Sequence, residues 1–408
     1  MVFYVRRGQL PAQRHTQLRQ PDGSLYREEL FGVEGFVGRS SLLYHITPPT
    51  QTYRIEPGSM IRIEAMDDGA HHHRLIKTGA AVPTGDVIDG RVPLFFNHDL
   101  IMGIVLPAQA QPANRFYRNG EADELLFVDE GSGRFASVFG EMAYGPGDYI
   151  VIPIGTTWRL DPEPGSSQRM LWLECPSELE PPRRYRNDYG QLLEHAPYSQ
   201  RDIRVPEETP AHTEQGEFVV DVKVRGRLTT YHYHHHPFDV VGWDGYLYPW
   251  IFNIGDFQPI TGRVHQPPPV HQTFQGANFV VCSFVPRKFD YHPLAIPAPY
   301  AHSNINSDEV IYYVQGNFMS RRGVEVRSFT VHPAGIPHGP HPGTAEASIG
   351  KDATDELAVM VDTFHPLDLT RQATRLEDAG YPYTWLPPED HAAEAQELAE
   401  RGPEAFPD

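Results

Sequence analysis

The chain has little cysteine, little positive charge and no long apolar run. Only Cys175 and Cys282 occur among 408 residues, without a Cys-x-x-Cys pair, so a disulfide scaffold and a cysteine-based zinc site are not expected. No run of 18 apolar residues exists, which excludes a spanning helix. The 34 Lys and Arg against 53 Asp and Glu give a net charge of −19, which argues against a nucleic-acid binder.

The first residues, MVFYVRRGQLPAQRHTQ, lack the apolar core of a secretory signal peptide, so a cytoplasmic protein without membrane attachment is expected. The negative charge is compatible with a metabolic enzyme. A small anionic substrate would then need a metal or local positive charge to enter the protein.

Turn residues and short strand-like runs dominate what is present. The chain contains 35 Gly and 39 Pro, and apolar or alternating runs such as 147–155, 277–286 and 309–316 lie between them. This pattern predicts an all-β protein of sandwiches or barrels. At 408 residues, two domains are the default. The polar, turn-rich residues 176–200 are interpreted as the connection, which gives domains 1–180 and 181–386 and an acidic tail 387–408.

A weak internal repeat divides the chain. Residues 117–131, YRNGEADELLFVDEG, align without gaps with 302–316, HSNINSDEVIYYVQG. Downstream, PIGTTW at 153–158 matches PAGIPH at 333–338. Two copies of one supersecondary unit are therefore expected.

The second copy contains a candidate metal site made of His302, Glu309 and His338. Alternation along a strand directs Glu309 to the same face as Ile311 and Tyr313, where an unpaired buried carboxylate would be costly. A divalent metal would supply the missing cation. Two imidazoles and one carboxylate form the facial triad of non-haem Fe(II) oxygenases. Asp308 is the competing carboxylate, and Glu309 is preferred because Glu124 occupies its place in the first copy.

The paired motifs resemble those of the cupin family, which have the pattern His-x-His-x3–4-Glu-x6-Gly followed by Pro-x-Gly-x2-His. The resemblance implies a bicupin, with two double-stranded β-helix (jelly-roll) domains and short peripheral helices. The first copy would be degenerate, with Tyr117 and Trp158 filling the barrel where His302 and His338 stand in the second copy.

Other histidines form conspicuous clusters at 70–75 and 231–239. Neighbouring residues on a strand point to opposite faces, so neither triplet can direct all three rings to one ion, and loop or surface placement is expected for His71–His73. The proline-rich segment GRVHQPPPVHQTF carries His265 and His271 on what we expect to be a rigid loop.

A narrower resemblance covers most of the chain. The segments HHPFDVVGWDGYLYPWIFNI, GRVHQPPPVHQTF, PYAHSNINSDEVIYYVQGNF and VHPAGIPHGPH are similar to successive parts of homogentisate 1,2-dioxygenase, especially its shorter bacterial relatives. The resemblance implies an enzyme that uses Fe(II) and O2 to open the ring of homogentisate, or of a related para-dihydroxy aromatic acid, giving maleylacetoacetate. It also implies homo-oligomers, as trimers paired into hexamers.

By this resemblance His302, Glu309 and His338 are the iron ligands, and His265 is the acid/base beside the substrate hydroxyl, with His271 as the alternative. It places four residues in the substrate pocket: Tyr300, Asn304, His332 and Phe318. Phe318 stands where the family usually has tyrosine, and His341 where it has aspartate, which indicates a changed pocket around an intact iron site. One more residue than usual also separates His302 from Glu309.

Two other functions remain open on the sequence. A metal-dependent cupin enzyme could act on a different aromatic acid, as a gentisate-like dioxygenase or an isomerase, with Mn as an alternative to Fe. A non-catalytic bicupin could bind a ligand. The complete His302, Glu309 and His338 set favours an enzyme, because a binding protein does not need it.

Overall fold

A computed structural model describes residues 3–66, 69–298, 300–316, 318, 321 and 323–387. Strands dominate this part of the chain, so the expected all-β class is confirmed. The strands, in chain order, are β1 (Val5–Gly8), β2 (Arg27–Gly32), β3 (Ser40–His45), β4 (Arg54–Met60), β5 (Arg74–Lys77), β6 (Arg91–Phe96), β7 (Ile101–Val105), β8 (Arg115–Asn119), β9 (Asp123–Glu130), β10 (Gly133–Ser137), β11 (Gly140–Tyr144), β12 (Asp148–Ile152), β13 (Thr157–Pro162), β14 (Arg169–Cys175), β15 (Ile203–Arg204), β16 (Gln215–Val224), β17 (Arg227–His235), β18 (Val240–Gly245), β19 (Trp250–Asn253), β20 (Gln272–Gly276), β21 (Phe279–Phe284), β22 (Arg287–Lys288), β23 (Asp308–Gln315), β24 (Ser328–His332), β25 (Ala353–Thr354), β26 (Leu357–Thr363) and β27 (Asp368–Leu369).

Helices in the described ranges are short. The α-helices are α1 (Thr344–Ser348) and α2 (Arg371–Arg375), and the 3-10 turns are Arg183–Tyr185, Gln200–Asp202, Ile254–Asp256, Pro268–His271 and Tyr381–Trp385. No helix in this part of the chain is long and apolar enough to cross a membrane.

The chain divides into two compact units. Unit 1 comprises Met1–Ile63, Pro83–Val92 and Met102–Asp256, and unit 2 comprises Glu64–Val82, Pro93–Ile101 and Phe257–Asp408. This division differs from the expected boundary at residue 180, because β16 and β17 of unit 1 hydrogen-bond into the sheet that contains β8. Apart from Pro387, the expected tail 387–408 lies outside the described residues.

Unit 1 contains two larger sheets. One has the strand order β11-β10-β13-β8-β16-β17-β4, and the other includes β15-β19-β12-β9-β14-β7. Every residue of β12 and β14 is buried, as expected for strands covered on both faces. The largest fully buried side chains include Tyr117, Tyr149 and Trp158, so aromatic rings fill this unit.

Unit 2 is built around the sheet β20-β21-β26-β23-β24-β5. One face of β23 and β26 contributes Ile311, Tyr313, Ala358 and Met360 to an apolar cluster. Strand β5 comes from the N-terminal part of the sequence and pairs antiparallel with β24. An early segment of the chain therefore completes the sheet that carries the metal motif.

The internal repeat is visible in the strands. Strands β9 and β23 occupy equivalent positions of the two repeat copies. Each ends before a glycine with positive φ, +100° for Gly131 and +98° for Gly316, a conformation that favours glycine. The turns of the downstream motifs match as well, with φ of +81° at Gly155 and +82° at Gly335. The molecule is thus a bicupin.

Candidate metal centre

Glu309 lies near the start of β23 and is 8% exposed. In the sheet register it stands opposite His332 of β24 on one side and Asp362 of β26 on the other. Directly opposed residues share a face of the sheet, so three titratable side chains form a row across three strands.

The two motif histidines are held together by the backbone. His302 and His338 form an antiparallel bridge, in which each backbone N–H donates to the other residue's carbonyl at 2.8 Å. Their ring centroids lie 4.2 Å apart. The loop before β23 and the downstream motif therefore bring the two imidazoles to one place.

The three side chains converge on one volume. Nε2 of His302 lies 3.9 Å from Oε2 of Glu309, and Nε2 of His338 lies 3.6 Å from Oε1 of Glu309. One ligand atom from each residue fits within 4.8 Å of the others, and this is the only such His/Cys/Asp/Glu group in the described residues.

His338 supplies the clearest sign that the site fits a metal. Its ring is buried, and neither Nδ1 nor Nε2 has a hydrogen-bond partner. Burying an imidazole without a hydrogen-bond partner is costly unless another group, such as a metal ion, binds its nitrogen. Imidazole nitrogen is a preferred ligand of iron.

Protonation states also suit a metal. Burial raises the pKa of Glu309, but contacts with His332 and His338 outweigh it and hold the pKa well below its usual range. Burial, with the charge of Arg321, lowers the pKa of His332 to about 3. Neutral His332 then donates from Nδ1 to Oε1 of Glu309 at 2.7 Å, and Nε2 accepts from the Tyr381 hydroxyl at 3.3 Å. The carboxylate is thus ionised and oriented, as a metal ligand must be.

Asp308, the competing carboxylate, has a different task. Its oxygens accept hydrogen bonds from the backbone N–H groups of Ala334 at 2.7 Å and Leu367 at 2.8 Å. In the first copy, Asp123 accepts from Ile154 at 2.8 Å and Leu179 at 2.9 Å. The aspartate therefore anchors the downstream motif in both copies, while the glutamate beside it faces the other way.

Three of the pocket residues expected from the sequence have defined positions. Tyr300 is 58% exposed, and its ring lies 6.3 Å from that of His302. Asn304 is half-buried, and its carbonyl accepts the Gly335 N–H at 3.2 Å. His332 is wholly buried, and its two ring nitrogens contact Glu309 and Tyr381.

Phe318 and His341, the positions that depart from the family pattern, are both buried. Phe318 packs its ring 4.4 Å from that of Tyr313 within the apolar cluster of unit 2. The His341 ring lies 4.4 Å from Trp385, and its Nε2 is 3.2 Å from the Thr384 hydroxyl.

The two acid/base candidates differ in environment. The His265 side chain is 45% exposed, with Nδ1 3.6 Å from Oδ2 of Asp290 and its ring 5.2 Å from Tyr300. His271 is buried against Phe284, and burial lowers its pKa to about 3. His265 is therefore the candidate that solvent and a carboxylate can both reach, whereas His271 is enclosed by apolar neighbours.

The other histidine clusters take separate positions. His71–His73 lie outside any strand or helix, where His71 hydrogen-bonds the Ala334 carbonyl at 2.8 Å and His73 the Pro337 carbonyl at 3.1 Å. These contacts hold the downstream motif in place. His234–His236 lie in unit 1, where the His234 ring stacks on Tyr53 at 3.8 Å.

Arg321 and Asp362 are residues near the site that the sequence did not indicate. Arg321 donates from Nη1 to the carbonyl of Gly339, next to His338. Oδ1 of Asp362 is buried without a partner, and burial together with the charge of Glu309 holds the pKa of Asp362 well above its usual range. Neither belongs to a spaced motif; for Asp362 the only available signal was an acidic residue in an otherwise apolar strand.

Comparisons with known proteins identify the family of the chain. A family model described as the N-terminal part of homogentisate 1,2-dioxygenase matches residues 7–254. A protein of Saccharolobus solfataricus, provisionally named a dioxygenase, is 42% identical over 387 residues, covering 94% of this chain and 99% of the relative.

A more distant relative is homogentisate 1,2-dioxygenase of Pseudomonas putida, which is 25% identical over 394 residues, covering 90% of this chain and 88% of the relative. Among solved structures, a cupin 2 conserved barrel domain protein from Leptotrichia buccalis is similar at 10% identity, covering 75% of this chain and all of that one, with a TM-score of 0.32.

Proposed function

Because the chain belongs to the homogentisate 1,2-dioxygenase family, we propose that it is an Fe(II)-dependent dioxygenase that opens the ring of a para-dihydroxy aromatic acid. The substrate is homogentisate, which would give maleylacetoacetate, or a close relative of it. The observation that carries the proposal is the convergence of His302, Glu309 and His338 within 4.8 Å, with both His338 nitrogens unpartnered.

His302, Glu309 and His338 would hold the iron through two imidazoles and one carboxylate. Bound iron would supply Lewis acidity toward a ring hydroxyl and a binding position for dioxygen. His332 keeps Glu309 ionised and aimed, because it donates to Oε1 and is itself held by Tyr381.

His265 would take the proton from the substrate hydroxyl. Its exposed ring can exchange protons with solvent, and Asp290 at 3.6 Å would stabilise the imidazolium that forms. The Tyr300 ring lies 5.2 Å from that of His265 and 6.3 Å from that of His302, so it would line the approach to the metal.

Phe318 favours a substrate range wider than homogentisate alone. Its ring packs among Ile311, Tyr313 and Met360 and offers no hydroxyl to a substrate. An apolar wall at this point tolerates changes in ring substituents more readily than a hydrogen-bonding group does.

The test is anaerobic reconstitution of the purified protein with Fe(II), followed by oxygen uptake with homogentisate and with gentisate. We expect one O2 consumed per homogentisate, and no uptake by His338→Ala. The matched control is His365→Ala, because His365 is an exposed histidine that pairs with Asp99. Failure to bind iron, or iron binding without uptake on any hydroquinone, would exclude the proposed function, and uptake with gentisate alone would replace the substrate. Reconstitution with Mn(II) in parallel tests whether iron is required.

A further inference from the structure

Arg321 is a cation whose side chain reaches the backbone next to the proposed metal ligand His338. Its Nη1 donates to the Gly339 carbonyl, and its buried Nε has no hydrogen-bond partner. Tyr313, Tyr381 and Glu309 are the groups whose charge or potential charge acts on it. Within the described part of the chain, no Asp or Glu forms an ion pair with Arg321, whereas the nearby Arg74 is paired with Glu377 at 2.8 Å.

The proposed ligand set leaves room for an anion. A divalent metal held by His302, Glu309 and His338 would add two positive charges to that of the Arg321 guanidinium, and Glu309 is the one carboxylate among the three ligands. A poorly solvated excess of positive charge is costly until a counter-ion arrives.

We propose that Arg321 binds the carboxylate of the aromatic acid and so fixes which ring carbon faces the metal. This inference rests on the proposed function. A substrate that carries one carboxylate and becomes a phenolate at the metal brings the two negative charges that the site lacks. The guanidinium suits the role because its planar fork matches a carboxylate, and Nε is a free donor.

The neighbouring residues give the acid a defined orientation. Tyr313 contacts both Arg321 and the ring of Phe318, which lies 4.4 Å away. The guanidinium also donates to the carbonyl next to His338. Arg321 therefore contacts the backbone next to a proposed metal ligand and also a residue of the apolar cluster. An aromatic acid needs both environments, one for its carboxylate and hydroxyl and one for its ring.

The test measures binding under argon to iron-loaded wild type and Arg321→Gln, with homogentisate and with methylhydroquinone, which keeps the ring hydroxyls but lacks the carboxylate. Loss of a charged hydrogen-bond partner should weaken homogentisate binding by about tenfold to a hundredfold. Methylhydroquinone affinity and iron content should be unchanged. Arg321→Lys should fall between wild type and Arg321→Gln, and Arg371→Gln, an exposed arginine on α2, is the matched control.

Equal weakening for both probes, or loss of iron, would assign Arg321 a structural role and overturn the proposal, as would homogentisate binding that is unchanged in Arg321→Gln. Phenylacetate separates this inference from the proposed function. If phenylacetate binding depends on Arg321 but the protein opens no ring, the carboxylate site is supported and the dioxygenase activity is excluded. If the protein opens the ring but its affinity for homogentisate does not depend on Arg321, the dioxygenase activity is supported and the carboxylate site is excluded.

Discussion

The two cupin copies bury a glutamate at the same position, but different groups surround its carboxylate. In unit 1, Glu124 lies 2.6 Å from Nη1 of Arg91. The guanidinium also lies over the rings of Tyr117 at 4.8 Å and Trp172 at 4.9 Å. In unit 2, Glu309 is surrounded by histidines and has no arginine within ion-pair distance in the described residues.

The difference shows what a metal adds to this fold. Both copies need a cation beside the buried glutamate, and unit 1 takes it from a side chain. A guanidinium fixed by the chain and packed against aromatic rings balances the charge, but it cannot coordinate a substrate and dioxygen as a metal can. Tyr117 and Trp158, which replace the histidines, stand opposite each other in β8 and β13 and close that volume. A metal held by His302, Glu309 and His338 would keep positions open, and for this reason we propose that the second copy is the reactive one.

The largest expected effect comes from removing the carboxylate of Glu309, the proposed metal ligand. Glu309→Gln should abolish stoichiometric iron binding and reduce oxygen uptake with homogentisate at least about a thousandfold, because a neutral amide is a poor ligand and the metal contributes several kcal/mol of charge stabilisation. Metal analysis and an oxygen electrode measure both quantities. The matched variant Glu124→Gln should retain its iron and its turnover. If Glu124→Gln also lost iron, the division of roles between the copies would be wrong.

The next largest effect is on stability. Arg91→Met leaves Glu124 buried without its cation, whereas Glu174 keeps Lys223, and removing one partner of a buried ion pair typically costs about 3–5 kcal/mol. Chemical denaturation should show this loss, and Arg91→Met combined with Glu124→Gln should recover part of it. A single variant as stable as wild type would mean that Arg91 does not take the place of the metal.

The smallest effect concerns histidines, which the two units hold in opposite charge states. In unit 1, hydrogen bonds to Asp239 at 2.8 Å and Glu29 at 2.9 Å outweigh burial and raise the pKa of His45 to about 9. In unit 2, burial keeps His332 neutral. A raised folded-state pKa stabilises the protein fully below the unfolded value near 6.5, and this contribution is lost as the pH rises through about 9.

We therefore expect the free energy of unfolding of wild type to fall by up to about 3 kcal/mol between pH 6.5 and pH 9.5 relative to that of His45→Gln. Denaturant titrations of both proteins at the two pH values measure the difference. Parallel pH profiles would show that His45 is not protonated in the folded protein.

The part of the site that could be predicted from the sequence is the part encoded by local spacing. Gly316 and Gly335 fix turns at set distances from Glu309 and His338, so the motif and its degenerate copy are readable along the chain. The choice of Glu309 over Asp308 also followed from the repeat, and the backbone contacts of Asp308 now give its physical reason.

What could not be predicted depends on pairing between distant segments. Asp362 stands beside Glu309 only because β26 pairs with β23 in that register. Arg91 meets Glu124 from outside the first motif, and no spacing rule connects them. The two compact units divide the chain differently from the boundary expected at residue 180 for the same reason, since a polar turn-rich segment does not reveal which sheet the following strands β16 and β17 join.

Strand β5 determines which fragments of this protein could fold without the rest of the chain. It belongs to unit 2 although it precedes most of unit 1, and Thr78, just beyond it, hydrogen-bonds Arg327 across 249 residues of sequence. Unit 2 therefore cannot be produced from one continuous segment of the chain. A gene fragment that begins at residue 181 or 257 would leave β24 as an open, aggregation-prone edge. During synthesis, the sheet that contains Glu309 cannot close until nearly the whole chain has left the ribosome, which makes its assembly a late and slow step of folding.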